Sequence, residues 1–121
     1  MDNEIGEVIL TLLHSATNAH ILHWQSKSYA EHKALGTFYE ELPDLVDQLV
    51  EAIQGHFDTT LQFPATYHVP AETGKRELHD LSEYFEEKRK ALPQDSEIQN
   101  IADEIQQLID SNTSFSLVSS F

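Results

Sequence analysis

The stretch His23-Trp24-Gln25-Ser26-Lys27-Ser28-Tyr29-Ala30-Glu31-His32 decides the fold of this chain. Before it, Ile5, Val8, Ile9, Leu12, Leu13, Ala16 and Ala19 recur at three- and four-residue spacing, the stripe of a core-facing helix that Asp2 or Asn3 can cap. Within it, Ser28 and Glu31 form a Ser-x-x-Glu capping box, so a second helix starts near Tyr29 after a very short turn. A turn that tight makes the two helices antiparallel neighbours.

Working outward, Leu35, Phe38, Leu42, Leu45, Val46, Leu49 and Ile53 continue the second stripe, with Gly55 as its expected stop. Pro43 predicts a kink near 39–42, or two shorter helices meeting there. From His56 to Ala71 the periodicity fades, and Pro64 and Pro70 mark a long connection. Thr73 can cap a third helix striped by Leu78, Leu81, Phe85 and Leu92, with a Glu86 to Lys90 pair on its outer face and Pro93 as its end. Asp95 or Ser96 opens a fourth, striped by Ile98, Ile101, Ala102, Ile105, Leu108 and Ile109. The expectation is a single all-α domain over 1–121 with helices at about 4–25, 29–55, 73–92 and 96–112. Two α-hairpins joined by a long connection between helices 2 and 3 are the connectivity of a ferritin-like four-helix bundle. The tail at 113–121, with Phe115, Leu117, Val118 and Phe121 among serines, can extend the last helix, fold back as a strand, or insert its aromatics into a protein partner.

With 121 residues, 40% of them hydrophobic, the chain suffices for one modest core. The formal net charge of −14, from 21 acidic against 7 basic residues, repels phosphate backbones, so no direct DNA binding is expected. Short apolar runs and an acidic start predict a soluble, cytoplasmic protein with no membrane partner. Cysteine is absent, so any metal binds through nitrogen and oxygen. No nucleophile motif, phosphate loop or zinc-finger spacing is present.

What chemistry the chain carries lies in His23, His32, Asp47 and Glu51, a mixture of imidazole and carboxylate that suits iron, manganese or zinc. Asp47 and Glu51 share one helix face a turn apart, near Glu40 and Asp44. His32 precedes Asp47 by about four turns, more than ~20 Å at 1.5 Å per residue. One helix cannot close that gap, and a shared ion needs a second, antiparallel copy. The alternative is a solvated acidic stripe with ordinary histidines and no metal. His14, His20, His56, His68 and His79 are scattered, with His20 a candidate extra ligand beside His23.

The segments His23-Trp24-Gln25, Ala30-Glu31-His32-Lys33-Ala34-Leu35, Phe38-Tyr39-Glu40-Glu41-Leu42 and Asp47-Gln48-Leu49-Val50-Glu51 resemble the Dps family of miniferritins over about the first 55 residues. The resemblance implies a ferroxidase site between subunits, with His23 and His32 from one copy, Asp47 and a bridging Glu51 from its partner, and Trp24 packed alongside. It also implies iron as the metal and a homodimer or larger homo-oligomer.

Three features depart from the family pattern. Gly36 stands where a further carboxylate is usual, the turn between His23 and His32 is shorter, and helices three and four are short in a small chain, which weakens the case for a hollow cage; the basic arm used for DNA is also absent from 1–7. The acidic character and the serine-rich aromatic tail are also similar to small Dps-like proteins of tailed phages. These features favour an alternative, a non-catalytic ferritin-like structural or interaction protein, including a virion or accessory protein of a phage.

Overall fold

Four α-helices are present in the computed structural model, which describes residues 3–113; among these there is no strand. Helix α1 spans Asn3–Gln25, α2 Tyr29–Phe57, α3 Gly74–Lys88 and α4 Ser96–Ser111, with a 3₁₀ turn at Arg89–Ala91. Asp2 and the segment from Phe115 to Phe121, for which a cap and a partner-binding role were expected, lie outside the described residues.

Local signals set the helix starts. Ser28 accepts from the Glu31 amide at 3.2 Å, but the other half of the expected capping box is replaced, since the Ser28 amide donates to Ser26 Oγ at 3.3 Å. Thr73 caps α3 through the Arg76 amide. Asp95 opens α4 without a side-chain cap bond, its carboxylate instead meeting His56 Nε2 at 3.0 Å.

One alternative is removed and two expectations are corrected. Pro43 lies inside one continuous α2 and not between two shorter helices. The proline costs about 3 kcal/mol, but Phe38, Leu42, Val46 and Leu49 on either side are buried in one core, and each such burial is worth roughly 1.5–3 kcal/mol. Gly55 is not the stop; α2 runs to Phe57 and ends on Asp58, at φ 47°, whose amide donates to the Gln54 carbonyl. Aspartate is among the few non-glycine residues that tolerate this left-handed conformation. Lastly, α3 gives way at Arg89 to a 3₁₀ turn, in which residues three apart eclipse, so Lys90 pairs with Glu87 at 3.2 Å rather than with Glu86.

Around the bundle, α1 packs on α2 and α3, and α4 packs on the same two helices. Leu12, Phe38, Leu49, Leu78, Phe85 and Ile105 fill its centre. The connection at 58–73 leaves the end of α2 and runs back along α1. Gln62 lies against Gly6, and His68 reaches Thr11 and His14. Chain direction is thereby reset: α3 starts against Leu35, passes Ser15 and then Thr11, and so runs antiparallel to α1 and parallel to α2. Helix α1 keeps apolar side chains outside as well, with Leu13 38% and Trp24 68% exposed.

Candidate functional site

At the corner where α1 hands over to α2, the short turn brings His23 and His32 face to face. Their ring centroids are 3.6 Å apart with planes 20° from parallel. Each ring is tied to the other residue's backbone: His23 Nδ1 lies 2.6 Å from the His32 carbonyl, and His32 Nδ1 lies 2.9 Å from the His23 carbonyl. A carbonyl only accepts, so each Nδ1 carries the proton. In the neutral imidazole the lone pair is then on Nε2. Orientation of a histidine by a backbone carbonyl on one nitrogen is what metal ligation requires of the other.

Around this pair an aromatic cluster is assembled. Tyr39 meets His23 edge-on at 5.3 Å and stacks on His20 at 4.0 Å. Trp24 leans on His20 at 4.4 Å. His20 is thus a ring partner within the wall of the cluster. Gly36 has a positive steric role. A Cβ there would lie 3.2 Å from His23 Cε1, so the His23 ring occupies the space a side chain at 36 would need.

Asp47 and Glu51 are exposed on α2 and make no hydrogen bond or ion pair among the described residues. Both lie on the same unbroken helix as His32, so within one chain they stay about 22 Å and about 28 Å along the axis from it. The structure therefore brings His23 and His32 together and leaves Asp47 and Glu51 apart from them.

Two groups went unseen in the sequence. His79, Asp80 and Glu83 present ligand-type atoms within 4.8 Å of one another, but all three are exposed on α3 and Arg76 already lies 3.7 Å from Asp80. The second lies between α1, α3 and the connection, around a cavity of about 500 Å³. There His68 Nε2 meets Glu7 Oε1 at 3.0 Å and Thr11 Oγ1 at 3.2 Å, while His68 Nδ1 lies 2.6 Å from His14 Nδ1. Glutamate and threonine share one nitrogen instead of flanking the ring, so this is not the relay that activates a hydroxyl nucleophile. Residues 14 and 68 are remote in the sequence, and nothing local announces their meeting.

Tyr84 borders the same cavity. Burial raises its phenol above the ordinary 10.0; the hydrogen bond with Thr11 partly offsets this, and the charges of Glu7 and Glu4 add to it. The fold thus favours the neutral phenol. Below about pH 10 the folded and unfolded chains both keep the proton; above it the unfolded chain releases its proton first, so stability falls as pH rises. Tyr84→Phe is expected to flatten the fall in unfolding midpoint between about pH 9 and about pH 11.

No helix among the described residues is long and apolar enough to cross a membrane. No solved structure matches the chain. An uncharacterized 14.6 kDa protein in the mobD-ri intergenic region of Enterobacteria phage T4 is 32% identical over 75 residues, which cover 60% of this chain and 59% of that protein. The similarity thus spans about three fifths of the relative's length. The model of a family of unknown function, DUF5856, matches residues 23–117, starting at the first histidine of the stacked pair. Covering most of the chain, that match places this protein in the DUF5856 family.

Proposed function

We propose that this protein is a ferritin-like, homodimer-based bundle that binds iron, or a similar divalent metal such as manganese or zinc, between copies. His23 and His32 come from one copy, and Asp47 and Glu51 from the other. The carrying observation is the reciprocal pairing of His23 and His32, which leaves the ligand lone pairs on Nε2. Fit to one shared ion is poor, because near-parallel rings 3.6 Å apart cannot both aim at a point about 2.0–2.1 Å from each nitrogen. Each imidazole would therefore hold its own ion through Nε2, with Asp47 and Glu51 of the other copy supplying carboxylate oxygens to the pair.

The long return along α1 and the parallel α2 and α3 support the ferritin-like reading. So does the register of α2. His32, Gly36, Glu40 and Asp47 fall on one stripe, so a two-fold axis crossing α2 near Glu40 sets His32 of each copy against Asp47 of the other. That axis also brings like-charged carboxylates together, which bound cations would neutralise. The exposed Leu13 and Trp24 on α1 supply apolar area for a partner.

Bound iron ions would supply electrons to oxygen or peroxide; the chain's own groups orient the imidazoles and supply bridging charge. Gly36 favours a second reading, since the His23 ring fills the space where a further carboxylate would stand. In that reading the bundle is a non-catalytic structural or interaction protein, an accessory or virion component of a phage acting in the infected host's cytoplasm. Aerobic Fe(II) oxidation separates the two. A working site gives wild-type oxidation with stoichiometric iron uptake, absent from a folded, equally assembled His32→Ala, Glu51→Ala double variant. Equal rates with no bound metal would sink the metal reading and leave the scaffold.

A further inference from the structure

We infer that His68, His14 and Glu7 form a proton-operated clasp that fastens the connection at 59–73 along α1 and lets it go when both imidazoles are charged. Glu7 is an acceptor when ionised, so the 3.0 Å contact makes His68 Nε2 the donor and leaves the lone pair of neutral His68 on Nδ1. His14 must then carry its proton on Nδ1 to bridge the 2.6 Å between the two nitrogens. One further proton is accommodated at His14 Nε2, since its Nδ1–H still donates and the bond becomes charge-assisted. A second proton is not. It puts hydrogens on both facing nitrogens, removes the acceptor and sets two cations in contact.

The groups facing the pair are Glu7 from α1 and Glu77, Asp80 and Tyr84 from α3, all around the same cavity. The carboxylates stabilise the first positive charge. What fails on the second is the N–H···N bond itself. The position of the clasp makes its failure consequential, because His68 grips α1 in four ways: by its ring to Glu7, to Thr11 and to His14, and by its carbonyl, which accepts from Asn18 Nδ2 at 3.1 Å. The segment so held presents Phe63, Tyr67 and Val69, which are 49, 78 and 69% exposed. Release would open the cavity and free these apolar side chains together.

Hydrogen exchange on the full chain tests this, with rates normalised for their intrinsic pH dependence. The reporters are the Leu61 and Ala71 amides, which donate to Gln54 and Glu77 across the two ends of the connection. Between about pH 8 and about pH 5, the range over which imidazole changes charge, their protection is expected to fall roughly tenfold or more, while core amides of α4 keep theirs. His14→Gln leaves the pair able to carry only one charge, and its amide can donate or accept, so its connection should stay protected at the acidic end. His14→Asn serves the same purpose if the glutamine variant does not fold. Protection in wild type that does not change with pH overturns the clasp. So does an equal loss in wild type and the His14 variants, or a loss that α4 shares.

Discussion

Gly6→Ala is expected to destabilise the protein by about 3 kcal/mol, at the upper end of ordinary overpacking. A Cβ at Gly6 would sit 1.8 Å from the Gln62 carbonyl oxygen and 2.8 Å from its carbon. Both are backbone atoms, so no rotamer change relieves the clash, and the connection must lift off α1. Lifting it strains the neighbouring packing of Leu61, only 3% exposed, and pulls on the His68 contacts beyond. Gly74→Ala, by contrast, meets the side chain of Leu35, at 2.4 Å; a side chain has rotamers where a backbone carbonyl has none, so its cost is expected to be smaller, though Leu35 is buried in the core. Denaturant midpoints of the two variants at equal slope check the order.

The four helices were legible because their stripes are local and strong, and the starts at Ser28 and Thr73 because a cap acts within one turn. The end of α2 was not. Gly55 has open space around it and sits in the helix like any exposed residue, whereas Asp58 holds the left-handed position where the chain turns onto α1. For the site, the tight turn made the helices of His23 and His32 antiparallel neighbours, and the resemblance put both residues on one subunit. Their mutual carbonyl bonds depend on ring orientation, which spacing does not carry. Gly36 read as a missing carboxylate, yet it is also the floor on which His23 lies. The meeting of His14 with His68 depends on the path of a segment lacking periodicity, and no pattern foretells it.

His23→Ala and His32→Ala are each expected to weaken divalent-metal binding by at least about 100-fold, the upper range for losing even an outer-shell partner. Each variant does more than delete one ligand. Without the His32 ring, His23 loses its stacking partner, and without the His23 ring, His32 loses its own. The surviving imidazole keeps its bond to the other residue's backbone carbonyl but loses the stacked ring that steadies it. His79→Ala should leave binding unchanged, because its cluster is exposed and shares its carboxylate with Arg76. Titration calorimetry with Zn(II), which avoids oxidation chemistry, reads all three directly.

That the site is shared between copies is the centre of the account, and mixing two inactive variants tests it most directly. His32→Ala and Glu51→Ala each spoil both sites of a homodimer. A mixed dimer regains one intact site, built from the histidines of the Glu51→Ala chain and the carboxylates of the His32→Ala chain. Unfolded together, refolded at equal amounts and titrated with metal, the mixture is predicted to recover about one quarter of the wild-type sites, since about half of the dimers are mixed and each carries one of two. No recovery above the separate variants, with mixed dimers demonstrated by mass, would contradict a site built from two chains.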